Sequence, residues 1–207
     1  MRPIDLNNVT ESSEGGFNRI KPGAYPCAIM KVEDVPDREY MWVVLDVCSG
    51  EYKDYFSDPY YEGKDYAHRM CFSYKEKSLP MLKGRLHVIT DCNPGFDAEA
   101  AIFAGNEQAL VGKAVGVVFR EEEYYNKNED EFQLGTPRPS RLCRLDELDD
   151  PRNADPKPYM LNDKRKREAL ERAGEDPDEW FRTQKLKEQG VSPSDVYDGP
   201  APFSIDM

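Results

Sequence analysis

A mainly β fold is predicted, an OB-like five-stranded barrel with a helix between strands three and four, plus an α-helical C-terminal extension. Three features predict it. Residues 24–56 alternate as three short strands divided by turn residues, residues 78–90 carry an apolar stripe at helical spacing, and residues 114–119 form a valine-rich strand that is apolar on both faces.

The Pro22-Gly23 turn feeds a first strand, 24–33, which sets Tyr25, Cys27, Ile29 and Lys31 against Ala24, Pro26, Ala28, Met30 and Val32. Pro26 has no amide to give a ladder and so implies an edge or a bulge. Residues 40–47 form the second strand, apolar or aromatic throughout except for Asp46. After the turn at Cys48-Ser49-Gly50, residues 51–56 read as the third strand, with Tyr52 and Phe56 on one face and Tyr55 on the other. Residues 57–66, rich in tyrosine and charge, read as an exposed loop, and 67–74 as a further strand or a continuation. Ser78 suits an N-cap, Pro80 a first helical turn, and Leu79, Leu82, Leu86 and Ile89 make one stripe. Asn93-Pro94-Gly95 ends that helix, and a shorter one at 97–103 stops before Gly105. Past the turn at Val111-Gly112-Lys113, Val115, Val117 and Phe119 face opposite Ala114, Gly116 and Val118. Such a strand is covered on both sides or curls, and Gly116 leaves room for another backbone to approach. Residues 126–130 form a hairpin loop and 131–135 return. Pro137-Arg138-Pro139 interrupts, and 141–145 is the last edge strand.

The predicted organisation is a flexible arm at 1–16, the barrel at 17–148, a linker and helical extension at 149–193, and an acidic tail at 194–207. Prolines at 151, 156 and 158 mark the linker. Helices follow at 164–173 and 178–189. Their apolar residues, Leu170, Trp180, Phe181 and Leu186, are too few for a core, so they must dock on the domain or on a partner. Lys164-Arg165-Lys166-Arg167 puts four cations at a helix start, against the macrodipole. Pairing with acidic groups of the barrel, or contact with phosphate, accounts for their being tolerated there; pairing is the expectation.

The formal net charge of −12, from 28 basic and 40 acidic residues, disfavours nucleic acid as a partner of the whole surface. Residues 149–207 carry 10 basic and 14 acidic groups, so the deficit is spread over both parts, and any nucleic-acid site is a local patch. Five widely spaced cysteines without a CxxC argue against a disulfide framework. His68 and Cys71 form an HxxC without the second pair that tetrahedral zinc requires. Glu121, Glu122, Glu123, Glu129, Asp130 and Glu131 crowd one hairpin, but neighbouring strand residues point to opposite faces, so a solvated tip is expected rather than a metal site. GxSxG, HExxH and GxxxxGK[ST] are all missing from the sequence. No enzyme, metal or cofactor is expected, and no membrane partner either, since no apolar run approaches about 20 residues.

Phe17-x-x-Ile20-x-Pro22-Gly23-x-Tyr25, Gly50-Glu51-Tyr52 with Tyr55-Phe56, Asn93-Pro94-Gly95, and Leu110-x-Gly112-Lys113-x-Val115-Gly116 with Glu122-Glu123-Tyr124 resemble a bacteriophage family catalogued as domain of unknown function 669. The resemblance covers roughly residues 17–145. It implies a non-catalytic single-stranded-DNA-binding accessory protein of a phage replication or recombination module, in the cytoplasm of the bacterial host. Homo-oligomerisation stays open. Stacking of bases is expected on Tyr40, Trp42, Tyr52 and Tyr55, and phosphate contact from Lys53, Arg69, Lys75, Lys77, Arg138 and Arg141. The competing assignment for Trp42 and Phe56 is the core. The C-terminal peptide resembles the acidic tail ending in Asp-x-Pro-Phe by which bacterial single-strand-binding proteins recruit partners, which makes Pro202 and Phe203 candidates for contact with phage or host replication and recombination proteins. Four residues follow Phe203, a departure from that pattern. The alternative reading is an acidic DNA-mimicking or protein-interaction module that occupies a host DNA-binding protein.

Overall fold

The computed structural model describes residues 19–189; the arm at 1–16 and the tail carrying Pro202 and Phe203 lie outside the described residues. Among the described residues seven strands run in chain order: β1 Gly23–Val35, β2 Tyr40–Val47, β3 Arg69–Ser73, β4 Ala114–Arg120, β5 Glu123–Asn126, β6 Glu131–Leu134 and β7 Arg138–Cys143. The helices are α1 Leu79–Cys92, α2 Ala98–Phe103, α3 Pro151–Ala154, α4 Asp163–Ala173 and α5 Pro177–Glu188. They group into two compact units, one reaching Glu121 and including Thr136–Pro158, the other made of Glu122–Gly135 and the described chain from Tyr159 on.

In the first unit the antiparallel order β3-β2-β1-β4-β7 makes a five-stranded sheet whose two edges, β3 and β7, come back into contact, giving a nearly closed, OB-like barrel. Cys27 marks its middle, paired with Val47 on one side and Val115 on the other. Alternate residues of β2 (Met41, Val43, Leu45 and Val47) point inward, and Val115, Val117 and Phe119 of β4 meet them in one apolar cluster. The helix α1 touches β3, β4 and β7 and adds Leu82, Leu86 and Ile89 to that cluster. Leu79, expected in the same stripe, is 46% exposed, because it lies in the first turn, outside the packed face. Ser78 is the N-cap by position, with no side-chain cap bond, whereas Asp97 caps α2 through the Ala100 amide at 2.9 Å.

Pro26 lies in a central strand. Its carbonyl accepts from Cys48, just past the end of β2. The N–H and C=O of a strand residue point the same way, so the missing amide faces a stretch that β2 no longer covers. Gly116 is the close approach its sequence position implied: a Cβ there would lie 2.7 Å from the Cys143 carbonyl and 2.8 Å from its sulfur.

The third strand is a correction. Residues 51–56 form turns and a 3-10 helix at Tyr55–Ser57, and Arg69–Ser73 takes the strand's place. Two forces divert the chain. Asp54 adopts a left-handed φ of 59°, and the Asp46 carboxylate, 4% exposed, captures the Phe56 amide at 2.9 Å and the Ser57 hydroxyl at 2.6 Å. The last strand likewise begins earlier than expected, at Arg138. Pro139 sits at a register shift opposite Phe119 on this edge strand, where a missing donor is tolerated.

The second unit is the β5–β6 hairpin with α4 and α5. The helices' four apolar residues are supplemented by the hairpin: the Trp180 ring lies 5.1 Å from that of Phe132 and 6.4 Å from that of Tyr125, and Leu170 is fully buried. The four consecutive cations find partners inside this unit. Lys166 pairs with buried Glu123 at 3.0 Å, Arg167 with Asp178 at 2.7 Å and Lys164 with Glu168 at 4.0 Å, while Arg165 donates to the Tyr159 hydroxyl. The acidic tip is tied down in the same way, since Glu123 also accepts from the Leu161 amide and Gln133 donates to Glu129 and Glu131.

Candidate nucleic-acid interface

The even positions of β2 lie on the face away from the core cluster, where Val44 and Asp46 are covered and only Tyr40 and Trp42 reach the surface. Tyr40 and Trp42 therefore stand side by side on the outer surface, half-buried, with ring centroids 5.1 Å apart at 68°. On neighbouring β3 the odd positions face the same way, and the register sets Trp42 opposite Cys71, Tyr40 opposite Ser73 and Val44 opposite Arg69. Arg69 then reaches diagonally to place its guanidinium 3.9 Å from the Trp42 ring centroid.

Cys71 is the one exposed cysteine of the five. Partial burial raises its thiol above the ordinary range, opposed by the positive fields of Arg85, Lys75 and Arg69. Three cations thus converge on one strand position. Arg85, which the sequence did not single out, comes from α1: it donates to the Cys71 carbonyl at 2.5 Å and lies 4.8 Å from the Phe72 ring centroid. No ion pair to a carboxylate holds Arg69, Lys75, Lys77 or Arg138 among the described residues, whereas the positive field of Arg141 acts on Asp150. Lys53 is paired with Asp54 at 3.8 Å in an exposed contact worth well under about 1 kcal/mol.

Not every predicted residue joins this face. Tyr52 is only 5% exposed and packs edge-on against Tyr25 and Tyr55, so no ring face is open to a base. Tyr55 is structural: its hydroxyl accepts from the Ile20 amide at 3.0 Å, and its ring packs on Phe56 and Tyr61. Both lost their expected strand when Asp46 drew the chain into a turn. Arg141 donates to the Arg152 carbonyl at 2.6 Å. Arg138 borders a separate cavity with Tyr60, Lys64 and Tyr66, from the loop that the sequence marked only as tyrosine-rich.

His68 and Cys71 do not act as a pair. The His68 ring is buried and stacked on Phe56, with centroids 4.6 Å apart at 3°. Its Nδ1 lies 2.6 Å from the Leu45 carbonyl, which can only accept, so Nδ1 carries the proton. No helix among the described residues is long and apolar enough to cross a membrane. No protein-family model matches this sequence, and no curated protein matches it.

Proposed function

We propose that the protein binds single-stranded DNA without catalysis, along the outer face of β2 and β3, as an accessory of a phage replication or recombination module. One observation carries the binding reading: Tyr40 and Trp42 stand on one open strand face, and Arg69, Lys75 and Arg85 converge beside them. The phage setting comes from the resemblance of the motifs at residues 17–145. A single strand offers flat bases at close intervals and a phosphate with each, so a binder that ignores sequence needs rings and cations together. Arg69 already occupies one side of Trp42. Cation–π contact is worth about 0.5–1 kcal/mol at such a site and base stacking about 1–3, so an arriving base displaces the guanidinium, which is then free for a phosphate.

The overall charge of −12 opposes approach. At physiological salt, charges more than about 8 Å away are largely screened, while contacts within the patch are not. Three cations releasing counterions give a logarithmic salt slope of about −2, hence about twentyfold weaker binding between 50 and 200 mM. Titration of labelled oligo-dT at these two salts tests the reading. Binding at low salt that weakens by that factor, and a further drop of about tenfold in Trp42→Ala from one lost stack, is the expected result. Absence of binding even at low salt transfers the case to the acidic protein-interaction module.

A further inference from the structure

The loop between β2 and β3 helps to build a concave site apart from the β2–β3 face. A cavity of about 220 Å³ is bordered by Tyr60, Tyr61, Lys64, Tyr66, Pro137 and Arg138, over a floor formed by Phe56. Its volume equals that of about seven waters and falls below the roughly 300–1,000 Å³ of a drug-sized ligand site, which suits one heterocycle. Tyr60 and Tyr66 are 59% and 54% exposed, so each offers a ring surface. Lys64 Nζ lies 3.5 Å from the Tyr60 ring centroid. In a chain with 12 more acidic than basic residues, neither Lys64 nor Arg138 has a carboxylate partner among the described residues.

The walls are preformed. Asp58 Oδ1 accepts from the Tyr60 amide at 2.8 Å, and successive bonds run from Tyr61 to the Asp58 carbonyl, from Lys64 to that of Tyr61 and from Ala67 to that of Lys64. The Asp46 carboxylate anchors the loop's start at Phe56 and Ser57. Aromatic walls, two cations held by no carboxylate among the described residues, one of them resting on the Tyr60 ring, and room for one ring system suit a planar heterocycle bearing an anionic group.

We propose that this pocket binds a single nucleotide, the base against Tyr60 and Tyr66 and the phosphate on Lys64 and Arg138. The proposal takes its ligand class from the nucleic-acid reading, but its geometry is independent of the β2–β3 face. It adds a discrete anchoring point for one nucleotide of a bound strand, or for a free nucleotide.

Calorimetric titration of the full chain with thymidine 5′-monophosphate, thymidine and inorganic phosphate tests it. Saturable binding of the monophosphate is expected, at least tenfold tighter than either half alone. Tyr66→Ala and Arg138→Glu, both at exposed positions, should each weaken it at least fivefold with unchanged far-UV circular dichroism, and Trp42→Ala should leave it unchanged. No saturable monophosphate binding, phosphate alone binding as tightly, or indifference to both pocket substitutions would overturn the proposal. Monophosphate binding that persists where oligo-dT does not bind supports the pocket and refutes only the strand-face reading.

Discussion

Replacing Asp46 with alanine removes the acceptor on which the β2–β3 loop depends. Its Oδ1 accepts from the amides of Val47 at 2.7 Å and Phe56 at 2.9 Å, and its Oδ2 from the Ser57 hydroxyl at 2.6 Å. Hydrogen bonds to a charged group contribute about 1.5–3 kcal/mol each, and burying the carboxylate costs several kcal/mol in return. After substitution Ser57, which is exposed, turns to water, but the amides of buried Val47 and Phe56 both lose this acceptor, at about 1–3 kcal/mol each, offset in part because a charge need no longer be buried. Adding the lost packing of the loop, the net destabilisation is about 2–4 kcal/mol. With a urea slope of about 2 kcal/mol per molar, the midpoint should fall by about 1–2 M. Asp46→Asn keeps an oxygen for both amides and an NH₂ for Ser57, and should cost about 1 kcal/mol. Urea unfolding followed by circular dichroism measures both. An alanine midpoint within about 0.2 M of the parent would refute the view that this carboxylate holds the loop.

Tyr52→Phe removes a buried hydroxyl that has no hydrogen-bond partner among the described residues, so stability should be unchanged or rise by up to about 1 kcal/mol in the same assay. Gly116→Ala sets a methyl against the Cys143 carbonyl and sulfur and should lower stability by about 1–3 kcal/mol, read as a shift of the thermal midpoint. Burial, aided by Tyr52 and Glu51, pushes Tyr25 from 10.0 up to about 12. Cys143 is pushed from 9.0 up to about 11, again first by burial. The folded state therefore keeps protons that the unfolded chain releases. The associated stability is fully present below pH 9 and is lost as pH rises from 9 to 12. Urea midpoints should decline across that window, and less steeply in Tyr25→Phe.

Much of the barrel was legible because local pattern and local force agree. Strand β2 ends where Cys48-Ser49-Gly50 turns, α2 starts just after its cap Asp97 and ends before Gly105, and Gly116 sits where two backbones meet. Residues 51–56 misled because their alternation suits a strand equally well; the deciding contact comes from Asp46, ten residues upstream of Phe56, and no local period encodes it. The pairing of Tyr40 and Trp42 followed from their spacing. Arg69 over Trp42 needed the β2–β3 register, and Arg85 gave no signal, being one polar residue among several on α1. The hairpin β5–β6 read as part of the barrel, whereas Glu123, Tyr125 and Phe132 pack with α4 and α5. That grouping depends on partners more than 40 residues away in sequence, such as Lys166 on Glu123.

Cys71 offers the most direct test of the β2–β3 face, since it lies opposite Trp42 and is the one exposed thiol. Its alkylation rate by iodoacetamide, followed by peptide mass spectrometry at pH 8.5 to offset the raised thiol pKa, is compared without oligonucleotide and with saturating oligo-dT at low salt. At least fivefold protection of Cys71 is expected, lost in Trp42→Ala at the same oligonucleotide concentration. An unchanged rate at Cys71 while the oligonucleotide is demonstrably bound would contradict it and place the strand elsewhere on the protein.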